Sequence, residues 1–316
     1  MRKRRHHYVP KFYLKPWSQH KQVFCLRAGV IKRVGLRDVG VEEDFYAVRD
    51  LTPDDIEFLK NAVVAASPER FRPLHLALLR DFARVAFANR LLQVRPEMAD
   101  EVKEEIRKVV SNLDENYHEA IEHDLQDAIN CMLTESVSFF NDVGVAGMFL
   151  RALSLFSLRT KRIRERMKER VRVPLPGFDI ERIYGPMIHM LAVNIGGDLL
   201  VTRSNFRIVL LRNETAVPFI TGDQPVLNIH EERDENGTPR DVEWYMPLSP
   251  GLALLYALAG RVPDSDFISI TEEEAQSYNV RIARNHHDQL YGSDEQALLP
   301  YMSFSKPEED GEEALQ

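Results

Sequence analysis

Residues 206–223, "FRIVLLRNETAVPFITGD", are where the chain changes period, and their reading decides the fold. Phe206 to Leu211 is a β-branched and aromatic run, too short for a helix and closed by Arg212-Asn213. A second short run ends in Gly222-Asp223, and further runs follow as "PVLNI" (225–229), "VEWYMPLSP" (242–250) and "LALLYAL" (252–258). Asn236-Gly237, between "PVLNI" and "VEWYMPLSP", is the strongest hairpin signal in the chain. Residues 52–203 read differently. Between 97 and 132 the apolar residues Val102, Ile106, Val109, Leu113, Tyr117, Ile121, Leu125, Ile129 and Met132 recur every three or four positions. That spacing predicts one buried stripe on a long amphipathic helix. Further helices are predicted at 134–171 and 179–201, parted by "VPLPGF" (173–178). A last one is predicted at 271–285, behind a Thr-Glu-Glu-Glu capping pattern.

On the other side of the helices, "QVFCLRAGVIKRVGLRDVGVEEDFY" (22–46) alternates and turns at Ala28-Gly29, as a β-hairpin does. Thr52-Pro53-Asp54-Asp55 then starts the helical part with a hydroxyl cap, a first-turn proline and acids where the helix dipole favours them. A lone hairpin is marginal in water, so this one is expected to dock on the carboxy-terminal sheet or on the helices, the sheet being the reading adopted. The expected class is α+β: an N-terminal β-hairpin, a middle of long amphipathic helices, and a C-terminal, mainly antiparallel sheet with a final helix. It is read as a single domain over 1–305, with a hairpin segment at 6–50, a helical part at 52–203 and a β-rich part at 205–305. Residues 306–316 read as an acidic disordered tail.

With 316 residues, 44% hydrophobic and 28% charged, the composition is that of an ordinary globular protein. Cys25 and Cys131 lie far apart with no metal-ligand spacing, which excludes a zinc-finger reading and suits a reducing cytoplasm. No apolar run follows the basic start, and the two most apolar windows, 143–158 and 187–201, are interrupted by Arg151 and Asp198. A soluble, cytoplasmic protein with no membrane partner is expected. The net charge of -8 argues against indiscriminate nucleic-acid binding, yet cations cluster at 2–5 and at "KRIRERMKERVR" (161–172), where seven face two acids. Those two clusters are the expected nucleic-acid contacts, weighed against a solvated helix end with its own ion pairs.

Candidate chemistry sits at a few places. His6-His7 offers imidazoles for a base or a metal, but neighbours on an extended strand face opposite ways, and a packing pair is the plainer reading. Asp223 is delivered to a turn by the apolar run "PFIT", which suits either a reachable carboxylate or an ordinary Gly-Asp turn. His286-His287 suits the end of the last helix. His118 with Glu122, and Glu119 with His123, stand at i and i+4 and have metal-ligand spacing. No second Glu-x-x-His helix completes such a site, so a solvated face is the favoured reading there. The sequence holds no Gly-x-Gly-x-x-Gly, Walker, His-Glu-x-x-His or Gly-x-Ser-x-Gly motif, which removes most support for nucleotide-dependent and serine-hydrolase chemistry.

Several separated stretches recur together: "HHYVPKFYLKPWS" (6–18), "EEDFY" (42–46), "LRTKRIRERM" (158–167), "FITGDQPV" (219–226), "MPLSPGLALLY" (246–256), and a late helix from Asn279 to Tyr291. Together they resemble the bacterial domain-of-unknown-function family 4238. Gln224 stands where the family more often has Asn, and Pro16-Trp17 replaces its basic-Phe step. The resemblance implies that polar groups from separate elements converge on one site. On that basis His6, His7, Asp223, Gln224 and Arg159 are expected catalytic residues, Tyr8, Tyr46, Arg162 and Asn279 substrate-binding ones, and Asp223 with Asp44 metal-binding carboxylates for Mg²⁺ or Mn²⁺. The implied activity is a metal-assisted phosphodiesterase or nuclease, with bacterial conflict such as phage defence as its setting. The alternative is a non-catalytic nucleic-acid- or protein-binding regulatory module.

Overall fold

In a computed structural model the described residues are 5–170, 179–232, 234–235 and 239–305. Residues 2–4 and 171–172 of the basic clusters, the "VPLPGF" breaker, the Asn236-Gly237 turn and the acidic tail lie outside them. The chain runs β1 (Arg5–His7), α1 (Lys11–Leu14), β2 (Gln22–Arg27), β3 (Val30–Gly35) and β4 (Val41–Glu43). The helices α2 (Pro53–Leu59), α3 (Arg72–Val94), α4 (Asp100–Leu133), α5 (Val143–Leu158), α6 (Lys161–Arg170) and α7 (Ile180–Val201) follow. Then come β5 (Phe206–Arg212), β6 (Thr221–Gly222), β7 (Leu227–Asn228), β8 (Trp244–Ser249), β9 (Leu252–Leu258), β10 (Phe267–Ser269), α8 (Glu272–Asn285) and β11 (Leu290–Gly292). This is the α+β order read from the change of period. The chain divides by packing into two compact units, which are described separately.

The first unit comprises Met1–Tyr8, Glu42–Ala128 and Phe139–Thr202 and holds α2, α3, most of α4, α5, α6 and α7. The capping box expected at Thr52 is present: its hydroxyl accepts from the Asp55 N–H, and the Asp55 carboxylate accepts from the Thr52 N–H. The α4 stripe is covered in part only. Leu113, Tyr117 and Ile121 pack on a core of Leu79, Phe82, Ile183, Tyr184 and Ile188, whereas Val102 and Val109 are exposed. Period names the face a helix can bury, not how far its neighbours extend along it. The single helix predicted over 134–171 is instead two, α5 and α6, bent by 64°. The break falls at Arg159-Thr160, both buried, where the apolar run gives way to the basic one. Helices α5 and α7 pack closely because Gly196 has no side chain: a Cβ there would meet the Arg151 Cα and N at 2.7 Å. Among the described residues no single helix is long and apolar enough to cross a membrane.

The second unit comprises Val9–Val41, Ile129–Ser138 and Arg203–Gln316. Ala28 and Gly29 take positive φ (48° and 73°), and β2 pairs antiparallel with β3 as expected. The hairpin shares one core, through Leu26, with Leu211, Tyr245 and Leu255. Its β2 edge pairs antiparallel with β11, giving a four-stranded sheet in the order β3-β2-β11-β6. A second sheet has the order β10-β5-β9-β8-β7, antiparallel except for the β10–β5 pair. Tyr13 keys the two together: its hydroxyl hydrogen-bonds Thr221 Oγ1 next to β11 at 2.7 Å and donates to the Pro247 carbonyl in β8 at 2.8 Å. The Trp17 indole N–H donates to the Phe219 carbonyl at 2.9 Å. The opening motif is thus divided, with β1 pairing with β4 in a separate two-stranded sheet.

Candidate metal centre

Three turns of α4 set the centre. Asp114, His118 and Glu122 recur at i, i+4 and i+8, so they share one face of the helix. His189, from the apolar middle of α7, meets them: its Nε2 lies 2.8 Å from Asp114 Oδ1. His118 Nε2 lies 3.6 Å from the same oxygen. One ligand atom from each of Asp114, His118 and His189 can be chosen so that all lie within 4.8 Å of one another. All three side chains are buried. The His118 ring carries the decisive feature: neither Nδ1 nor Nε2 has a hydrogen-bond partner, although the residue is only 1% exposed. A buried imidazole whose nitrogens lack hydrogen bonds forfeits roughly 1–3 kcal/mol per unmet group unless a ligand meets it.

The remaining walls come from β1, the segment after β4, and the end of α5. His6 is buried, and its Nδ1 accepts the Tyr46 backbone N–H at 2.8 Å. The His6 and Tyr46 rings stack at 5.4 Å, and Tyr46 lies in turn against His118 with centroids 3.9 Å apart. Arg159, 2% exposed, donates from Nη1 to Glu122 Oε1 at 2.5 Å and lies over the Phe156 ring. A cavity of about 20 Å³, lined in part by Tyr46, Phe82, Asp114, Tyr184 and Gly185, borders the cluster and is large enough for one water. Gly185 makes that proximity possible, since a Cβ on it would meet Asp114 Oδ2 at 2.8 Å.

Burial, with the neighbouring His189, Arg159 and His6, holds the His118 imidazole well below its ordinary value of 6.5, so it is a neutral base at pH 7. Burial likewise drives the Tyr46 hydroxyl far upward against the opposing pull of Arg159, and Tyr46 stays a neutral phenol. Linkage gives the sign for His118. Below about pH 6.5 the unfolded chain takes up a proton that the folded chain refuses, so folding stability falls on acidification. The slope reaches about 1.4 kcal/mol per pH unit. Calorimetry of chelator-treated protein at pH 7 and pH 5 should show a lower transition for the helical unit at pH 5; a transition that does not move contradicts the buried neutral imidazole.

Of the residues singled out in the sequence, His6 stacks on Tyr46 and Tyr46 on His118, while Arg159 reaches Glu122, one turn along α4 from His118, all in the first unit. Tyr8 is buried there against Phe45, and His7, Asp44 and Arg162 are half-buried. Asp223, Gln224 and Asn279 belong to the second unit. Asp223 accepts three backbone N–H groups, from His287 at Oδ1 (2.7 Å) and from Asp288 and Gln289 at Oδ2 (2.7 and 3.0 Å). Asn279 accepts from the Ile220 N–H and donates to the Pro218 carbonyl. Gln224 donates to the Val226 carbonyl. In the basic run, Lys161 pairs with Glu42, Arg164 with Glu181, and Lys168 with Glu165.

Sequence motifs point to neither Asp114 nor His189, and the solvated face expected around His118 is instead buried. The signals were present: an acid four residues before a histidine, and a histidine inside the apolar run "YGPMIHMLAV" (184–193). A family model described as "Protein of unknown function (DUF4238)" matches residues 5–296. No curated protein and no solved structure matches the chain.

Proposed function

We propose, for a chain that belongs to the family Protein of unknown function (DUF4238), that the helical unit is a metal-dependent phosphodiesterase acting on nucleic acid. The observation that carries the reading is the buried His118 ring, whose two nitrogens have no hydrogen bond and which offers a ligand atom within 4.8 Å of ligand atoms of Asp114 and His189. Two imidazoles and one carboxylate suit Mn²⁺, Fe²⁺, Co²⁺ or Zn²⁺, whereas Mg²⁺ prefers oxygen ligands throughout. A divalent ion held there would supply a Lewis acid and lower the pKa of a bound water. The chain's own residues do the rest. Asp114 Oδ1 and His189 Nε2 lie 2.8 Å apart, so a cation bound by both would replace the hydrogen bond between them. Glu122 offsets Arg159, which leaves Asp114 as the charge for the cation to neutralise.

The reading is tested by incubating the protein with RNA, single-stranded DNA and duplex DNA in the presence of Mn²⁺, Zn²⁺ or Mg²⁺. Cleavage is expected with the transition ions, is removed by a chelator, and falls more than about 100-fold in Asp114→Asn. Cleavage that survives both the chelator and the substitution refutes the mechanism. Salt-dependent binding without turnover favours a nucleic-acid-binding module instead.

A further inference from the structure

Arg159 is held by one of its three nitrogens only. Nη1 meets Glu122, while Nε and Nη2 are buried and have no hydrogen-bond partner. Those two nitrogens form the side-on edge of a guanidinium, whose parallel N–H bonds match two oxygens of a single oxyanion. The Tyr46 hydroxyl is a second buried polar atom without a partner. Arg159 is the charge that acts most strongly on that hydroxyl, and it also acts on His118. Leaving three such atoms unmet in the interior is costly, and both side chains stand near the metal ligands: the Tyr46 ring lies 3.9 Å from the His118 ring, and Arg159 reaches Glu122, one turn along α4 from His118.

We propose that the Arg159 side-on edge and the Tyr46 hydroxyl form an oxyanion subsite that grips the non-bridging oxygens of a phosphoryl group beside Asp114, His118 and His189. The inference deepens the phosphodiesterase reading by naming the part of the substrate that is held and the atoms that hold it. Arg159 supplies two donors and a positive charge, and Tyr46 supplies one neutral donor that burial keeps protonated. Lysine in place of Arg159 would keep the charge and lose the fork, and phenylalanine in place of Tyr46 would keep the ring on His118 and lose the donor.

The probe is inorganic phosphate, titrated calorimetrically into the full chain before and after loading with Mn²⁺ or Zn²⁺, with metal content measured by mass spectrometry. Arg159→Lys and Tyr46→Phe are compared with wild type, and circular dichroism verifies that each is folded. Wild type is expected to bind one phosphate per chain, and each substitution to weaken it at least tenfold while leaving metal content unchanged. The subsite is overturned if wild type takes up no phosphate in either state, or if both variants bind it as tightly as wild type. Loss confined to Arg159→Lys overturns the part given to Tyr46. The outcomes separate from those of the metal reading: phosphate binding that depends on Arg159 and Tyr46 in a protein that takes up no metal keeps the subsite and sinks the metal-dependent enzyme. Metal uptake without phosphate binding does the reverse.

Discussion

His118→Leu is expected to weaken divalent-metal binding by more than about 100-fold, a larger loss than removing an outer partner of a metal ligand causes. The same substitution should make the metal-free protein more stable. It replaces a buried ring with two unmet nitrogens by an apolar side chain of similar size, and removing an unsatisfied polar group in this way returns on the order of 1 kcal/mol. Wild type should therefore melt higher when metal is added, and His118→Leu should melt higher than chelated wild type but show no response to metal. Calorimetry with and without a chelator reads both effects. A variant that is less stable than chelated wild type, yet binds metal normally, would assign His118 to packing alone.

Asp223→Ala is expected to destabilise the second unit by on the order of 3–5 kcal/mol, because three backbone N–H groups lose their acceptor at once. Burial pushes the Asp223 carboxyl above its usual range, while those three donors and His286 work against the shift. Asp223→Asn keeps one acceptor oxygen and should cost less. The measurement is selective: the chain's two tryptophans, Trp17 and Trp244, both belong to this unit, so urea unfolding followed by tryptophan fluorescence reports it without the helices. A midpoint that does not move in Asp223→Ala would show that the turn from α8 into β11 holds without the carboxylate.

The parts of the fold that were legible are those governed by neighbours in sequence. The hairpin turn at Ala28-Gly29 and the capping boxes at Thr52 and Thr271 are all completed within a few residues, so local chemistry announces them. The α4 stripe told which face to bury, but its first half, with Val102 and Val109, stays exposed because burial depends on partners that the period does not encode. The site was hidden for the same reason. His118 and His189 stand on different helices, and only packing brings their rings to 4.7 Å. On its own helix His118 is flanked by Glu119 and Glu122, which reads as a wet surface, whereas His189 is flanked by methionines and reads as core. His6, Tyr46 and Arg159 came into view only through motifs, not through periodicity.

The β2–β11 pairing also carries a cost in time. Residues 22–27 and 290–292 are neighbours in the finished sheet but lie at opposite ends of the chain. At synthesis rates of about 5–20 residues per second, the β2 edge waits on the order of tens of seconds for its partner to leave the ribosome. During that interval an apolar strand edge is open to other chains. The second unit is thus completed only after residues 290–292 have emerged, and until then the first hairpin needs its edge shielded.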